Sequence, residues 1–454
     1  MIRFCRFSAS ILLFSFLAFL LVFQSAYAVL PVLAVVAALL CLVEFQRGHA
    51  RLAGDDLAML LVLLCFSMVW LADVWRAGQW PVGAGGEGRW LPVWPLLAAL
   101  VLRAWRYVPP AASAWWWGVV VGALCAGGIA AHEHFWLGRW RPDNGMNAIP
   151  FGNIALLLGS LSLVPLVSLR GGLSPRFGVW LNAALVLAAF SGLLASVLSG
   201  TRGGWVVFPA LAFLLCAAAL TSLPRGRVVA LVAVLMMALL AMAFLPRGPV
   251  SARVGQGVEN LQEYAQGDAG SSLGVRLEMW RAGWHLVQEK PLLGWGEGKL
   301  EAQRDEWVAE GRFNRGISQY DQLHSDTVDT LARRGIVGGL SLFALYLVPL
   351  GLFWRYWRRA GHAGNEAVRR EMRAFALCGA LVVVGFMGFG LSQSMLRDPR
   401  GLAGFLGLLV ACWCLLKRAA ESQAYVGLRP SASLCPWVNT TYEWMVCFVV
   451  CRSN

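Results

Sequence analysis

Three stretches of this chain combine residue types that can hold an anion and move a proton. The first is Ser199-Gly200-Thr201-Arg202-Gly203-Gly204. Small residues let a backbone approach a ligand closely, and Arg202 offers a planar fork of donors suited to phosphate oxygens. The same pattern also fits a tight turn whose Arg snorkels to a membrane surface. The second is Val275-Arg276-Leu277-Glu278-Met279-Trp280-Arg281-Ala282-Gly283-Trp284. Arg276, Trp280 and Trp284 recur at helical spacing, so one face sets a guanidinium beside two indoles. The indoles suit a helix lying on a membrane surface, which leaves Arg276 to be explained. Arg281 lies about 140° from it on a wheel advancing roughly 100° per residue and is predicted to meet solvent.

The third stretch runs from Gln322 through Leu323, His324, Ser325, Asp326, Thr327, Val328 and Asp329 into Arg333-Arg334-Gly335. His324 precedes an amphipathic helix, and an imidazole titrates where a general base is useful near neutral pH. A lone His is more often structural, so the titration range is what singles this one out. Asp321 and Asp326 are both near enough in sequence to orient the ring, and nothing in the sequence chooses between them. Arg139, Arg141, Arg397 and Arg400 read mainly as interfacial anchors, with Arg141 and Arg397 as secondary candidates for an anion site.

The elements that must position these residues are membrane helices. With 58% hydrophobic and 14% charged residues, the chain strings together apolar runs near bilayer-spanning length, and a helix satisfies its own backbone in lipid. The expected fold is all-α integral membrane, with about twelve transmembrane helices: about 9–26, 28–44, 57–72, 91–104, 115–132, 151–169, 179–198, 204–221, 228–245, 336–354, 374–394 and 401–416. Pro31, Pro165 and Pro349 are expected sites of kinking. Trp90, Trp94, Trp115, Trp116, Trp117, Trp136 and Trp140 cluster at run ends, where indoles favour the headgroup layer. Arg3, Arg6 and Ser25-Ala26-Tyr27-Ala28 have the look of a secretory signal; the apolar run that follows at once favours an uncleaved first helix.

Basic residues give the orientation. With a cytoplasmic N-terminus, one set of loops holds Arg47, Arg51, Arg103, Arg106, Arg170, Arg176, Arg225, Arg227 and the cluster from Arg355 to Arg373, followed by Lys417 and Arg418. The opposite loops hold only Arg76, Arg89, Arg139, Arg141, Arg202, Arg397 and Arg400. That alternation puts all three chemical stretches on the non-cytoplasmic side. The expected organisation is therefore helices 1–9 in residues 1–245, a large helical loop in 246–335, helices 10–12 in 336–418, and a cytoplasmic tail in 419–454. The loop holds more than half of the acidic residues and is too long to be a mere linker. Helix-like stretches are expected at 275–289, 300–311 and 322–333. Asn439-Thr440-Thr441 in the tail matches a glycosylation sequon but falls on the cytoplasmic side, so the match is read as chance.

Several function classes fall away. A net charge of +13 suits nucleic acid only if the basic residues form a reading surface; here they flank apolar runs, and no nucleic-acid partner is expected. The cysteines lie mostly in or beside apolar runs without Cys-x-x-Cys or Cys/His spacing, so neither disulfides nor a metal site is expected. No Asp-x-Asp stands in the outer loops, and Trp115-Trp116-Trp117 lacks the following Asp of metal-dependent oligosaccharyltransferases. Span interiors are nearly free of charge, which argues against a polar path and leaves a transporter or flippase of a polyprenyl-linked anionic lipid as the alternative from another class.

At these residues the chain resembles the O-antigen ligase family of bacterial membrane proteins, whose superfamily includes O-antigen polymerases and protein O-oligosaccharyltransferases. The resemblance rests on Ser199 to Gly204, Arg276 with Trp280, Pro291-Leu292-Leu293-Gly294-Trp295-Gly296, and His324 to Gly338. It implies a membrane-embedded (GT-C type) glycosyltransferase in the bacterial inner membrane, with its site facing the periplasm. The implied donor is a glycan on undecaprenyl diphosphate, and the implied acceptor is the lipid A–core. Transfer would be inverting and without metal or other cofactor, Arg202 and Arg276 binding the diphosphate and His324 serving the acceptor.

Overall fold

The computed structural model describes residues 2–45, 52–81, 84–169, 175–244, 249–266 and 268–426. The expected loop residues Arg47, Arg51 and Arg170, and the tail beyond 426 with its sequon, lie outside them. Among the described residues every regular element is helical. The first half of the chain supplies α1 (Ile2–Phe19), α2 (Ala26–Phe45), α3 (Gly54–Ala77), α4 (Trp94–Tyr107), α5 (Ala112–Ala131), α6 (Ala148–Ser162), α7 (Val164–Ser168), α8 (Pro175–Leu198), α9 (Arg202–Ser222) and α10 (Arg225–Phe244). After these come α11 (Pro249–Ala265), α12 (Ser272–Glu289) and α13 (Lys299–Ala309), then α14 (Asp326–Ala360), α15 (Glu366–Phe389) and α16 (Pro399–Val426).

Each expected run coincides with a helix, but nine of the helices are long and apolar enough to cross a membrane among the described residues. The apolar stretch Ala26–Leu42 is shorter, and α4 has 14 residues. Of the three prolines, only Pro165 marks a break, between α6 and α7; α2 and α14 continue through Pro31 and Pro349. The break in α14 comes instead at Gly335, whose φ of 60° and ψ of −157° are non-helical.

Close packing organises the bundle. A Cβ on Gly192 would sit 2.8 Å from the Gly159 Cα, so α6 and α8 cross with their backbones nearly touching, as small residues permit in helices that lack a water-driven force for association. Trp115 and Trp116, expected at an interface, are instead core residues, 0% and 1% exposed. Trp116 stacks on Phe375 of α15 at 5.3 Å, because α5 is buried between neighbours rather than facing lipid. Trp90, Trp136 and Trp140 are exposed, as interfacial residues should be. The described cysteines are all free.

Charged groups separate to the two ends of the bundle. At one end Arg106 pairs with Asp56 (2.8 Å) and Arg355 with Asp55 (2.8 Å), Arg418 pairs with Glu371 (2.8 Å), and Lys417 donates to Tyr356 (2.9 Å). This is the end that the charge rule assigns to the cytoplasm. The large loop sits at the other end and has a small core of its own, built on Met279, Leu286, Leu300, Trp307, Ile317 and Leu323. Two of its helices, α12 and α13, fall where expected, and α11 is an addition.

The loop is fastened to the bundle by a buried ionic network. Arg333 is completely buried and pairs with Asp329 (3.0 Å), Glu297 (3.0 Å) and Glu301 (2.8 Å). Arg397, from the turn before α16, pairs with the same Glu297 at 2.7 Å. Trp70 of α3 donates its indole N–H to Glu297 at 3.1 Å. Burial by itself would raise the Glu297 carboxyl, but Arg397 and Arg333 hold it down at about 2. Its stabilising effect is therefore complete above the ordinary value of 4.5 and is lost as the pH falls through about 2. Glu297→Gln leaves two buried guanidiniums short of a counter-charge and should cost about 3–5 kcal/mol. Thermal unfolding of the detergent-solubilised protein at neutral pH reads this as a lowered Tm; an unchanged Tm would mean the network does not hold the loop.

Candidate functional site

Arg202 is placed by the turn between α8 and α9. Gly200 takes φ 67°, a region that L side chains rarely enter. The turn is pinned by Ser199 Oγ against Thr201 Oγ1 (2.7 Å) and by Thr201 Oγ1 donating to the Ala148 carbonyl (3.0 Å). Gly203 and Gly204 then lie flat on their neighbours: a Cβ on Gly203 would come 2.8 Å from Ser392 Oγ, and one on Gly204 3.0 Å from Asn153 Oδ1. Arg202 thus opens α9. Arg141 reaches the same turn, its Nε donating to the Ser199 carbonyl at 3.1 Å.

Arg276 stands one turn into α12, which Ser271 caps by accepting from the Gly274 N–H at 3.2 Å. Its guanidinium is destabilised by burial and then by two like charges, Arg202 and Arg141. Among the described residues no hydrogen bond or ion pair joins Arg276 to an acidic group. Arg281 behaves as expected: it is 59% exposed and pairs with Glu278 at 3.5 Å. The indoles divide. Trp284 is exposed, whereas Trp280 packs against the loop's own core.

His324 sits in the turn before α14, 9% exposed, with a φ of 49° that is unusual for a residue with a side chain. Tyr320 presents its ring at 4.9 Å, edge to face. The imidazole titrates below its ordinary range, because burial and then the Arg276 charge disfavour the protonated ring; Gln393, Asp321 and Asp329 act the other way. Arg276 therefore lies within electrostatic reach of Arg202, Arg141 and His324. Residues from four separate parts of the chain form one patch.

Two secondary candidates have other work. Asp326 does not orient the ring. Its Oδ1 accepts from the Leu396 N–H at 2.9 Å, and its own N–H donates to the Gly390 carbonyl at 2.8 Å, so it clamps the start of α14 to the turn after α15. The Asp321 side chain is not hydrogen-bonded to the ring either. The group that does bond it is Gln393, whose Oε1 lies 2.8 Å from His324 Nδ1. Arg397 belongs to the ionic network, where Glu297 and Asp329 neutralise it. It does not join the cationic patch, because its counter-charges come from distant parts of the chain. No group of three or more His, Cys, Asp or Glu able to hold a metal ion occurs among the described residues.

A family model described as O-antigen ligase matches residues 183–343, a segment that contains Arg202, Arg276 and His324 but not Arg141, Gln393 or Arg397. An uncharacterized protein of Haemophilus influenzae is 23% identical over 282 residues, covering 62% of this chain and 67% of that protein. The chain is thus a multi-helix membrane protein whose central segment is similar to the O-antigen ligase family.

The patch makes a prediction that needs no substrate. Because the Arg276 charge adds to burial in disfavouring the protonated His324 ring, Arg276→Ala should raise the pH at which His324 titrates. Histidine NMR of the solubilised protein reads this directly; no movement, or a downward one, would show that the two groups do not share a site.

Proposed function

We propose that this chain is a membrane glycosyltransferase that moves a glycan from a polyprenyl diphosphate to a hydroxyl acceptor. In its specific form the donor is O-antigen on undecaprenyl diphosphate, the acceptor is the lipid A–core, and the site faces the periplasm. What supports this reading is that Arg276 interacts electrostatically both with Arg202 and with His324, all three within the segment similar to O-antigen ligases. Among the described residues Arg276 has no acidic partner, which suits an anion, and Arg202 at the start of α9 adds the favourable end of a helix dipole.

The chemistry asked of such a site is modest. A glycosyl diphosphate already carries a good leaving group, so the protein must chiefly stabilise the negative charge that grows on the bridging oxygen. Arg202 and Arg276 hold the diphosphate and supply that stabilisation, with Arg141 close behind. The acceptor oxygen attacks the anomeric carbon from the face opposite the diphosphate and gives its proton to His324. The bond from the anomeric carbon to phosphate oxygen breaks as the new glycosidic bond forms. Polyprenyl diphosphate leaves with the bonding pair, and the configuration inverts. A ring already neutral near physiological pH is ready to accept that proton.

A reconstituted assay with one lipid-linked donor tests this reading. Offered lipid A–core, a second lipid-linked glycan and an acceptor peptide in parallel, the protein should glycosylate lipid A–core, with a chelator present throughout. His324→Ala should lower the rate by about two to four orders of magnitude. Arg202→Lys and Arg276→Lys should also fail, since a point charge cannot replace a bidentate fork. Elongation of the lipid-linked glycan would make the protein a polymerase. Recovery of unmodified donor with every acceptor, or full activity of folded His324→Ala, would defeat the proposal.

A further inference from the structure

We infer that Gln393 is the positioning residue of this site: its side-chain oxygen accepts the Nδ1–H of His324 and so leaves Nε2 as the lone pair that takes up the acceptor's proton. The inference rests on the reading of His324 as the base, and it adds the group that decides which ring nitrogen can serve.

The contact belongs to a built unit. Gln393 is 1% exposed, in the turn that follows α15, and the bond to Nδ1 is 2.8 Å. Three further hydrogen bonds tie the same two turns together. Ser325 Oγ donates to the Gly390 carbonyl at 3.3 Å, the Asp326 N–H donates to it at 2.8 Å, and the Leu396 N–H donates to Asp326 Oδ1 at 2.9 Å. The left-handed backbone at His324 is held in place by these bonds, and backbone held in a sparsely populated region is common where a side chain must be aimed. In a neutral imidazole, the partner of one nitrogen fixes the role of the other.

An amide suits this position better than a carboxylate would. The charged groups facing the ring are Arg276 from α12, Asp321 from the preceding turn and Asp329 from α14; the turn after α15 contributes the neutral Gln393. A carboxylate in its place would favour the protonated ring and compete with a diphosphate for the nearby guanidiniums. Gln393 fixes the tautomer without adding charge.

The test reads the ring directly in full-length protein carrying labelled histidine. The chain has six histidines, and the difference from His324→Ala identifies the right one. The wild-type neutral ring should carry its proton on Nδ1. Gln393→Glu, close in shape, should keep that tautomer and raise the titration by about one pH unit or more. The acid limb of its kcat profile should move up by the same amount, with the rate recovered at higher pH. Gln393→Leu should move the proton to Nε2 and lower kcat about 100-fold. A wild-type proton on Nε2, or one tautomer and one titration shared by all three proteins, would overturn the inference. Since the spectra need no turnover, failure of the transfer assay with every acceptor would sink the proposed reaction separately. Should Gln393→Leu fail to fold, Gln393→Glu still decides the matter.

Discussion

Everything at the loop end of this bundle depends on where buried charge is cancelled and where it is not. Arg333, fully buried, is surrounded by Asp329, Glu297 and Glu301, and Arg397 shares two of these carboxylates. Removing ions from water is so costly that such a cluster persists only when it is closely balanced. Glu297 comes from the loop, Asp329 and Arg333 from the start of α14, and Arg397 from the turn before α16. Balance is possible only when all three segments are assembled. The network thereby fixes the His324 turn, which lies between Arg333's carbonyl partner Asp321 (2.7 Å) and Asp329. Arg276, by contrast, is influenced by Arg202 and Arg141 and has no carboxylate partner among the described residues. That contrast within one small region is what separates scaffold from site.

Backbone geometry serves the same end. The break at Gly335 frees carbonyls that a continuous helix would have used. The Pro291–Gly296 turn lies against it, the Trp295 N–H donating to the Ala332 carbonyl at 3.0 Å and the Gly296 N–H to that of Arg333 at 2.8 Å. In return the Ile336 N–H donates to the Pro291 carbonyl at 2.8 Å. A Cβ on Gly294 would collide with the Arg333 backbone, and one on Gly335 with that of Leu292, so both glycines are needed for the approach. Arg76, at the end of α3, donates to the carbonyls of Leu293 (2.8 Å) and Gly294 (3.0 Å). Bundle, loop and kink thus satisfy one another's backbone groups, which lipid or a dry boundary could not do.

Much of this was legible in the sequence because it is local. Apolar runs and helical spacing located the helices, and the exposed direction of Arg281 followed from its angle to Arg276. What depended on pairing across the chain was not legible. Trp115 and Trp116 sit at the end of an apolar run, as interfacial indoles do, and only packing against Phe375 shows them to be core. Arg397 had the type and place of an anion ligand, but its neutralising Glu297 lies 100 residues away. The ring partner of His324 lies 69 residues away, beyond the reach of local spacing, which offers only the neighbouring acids. The polar run Ser392-Gln393-Ser394 at the end of an otherwise apolar span was the available signal.

The electrostatics of the patch also couple its two tasks. With no anion bound, Arg276 repels a proton from His324 while Arg202 and Arg141 repel Arg276 itself. On the proposed function, a diphosphate held by these guanidiniums would cancel part of that field and make the ring a stronger base. Pairing Arg276 with a carboxylate of its own would remove that effect. Among the described residues Arg276 has no such partner, although the loop carries more than half of the chain's acidic residues; in the proposed reaction, that lets one arginine both hold an anion and tune a base.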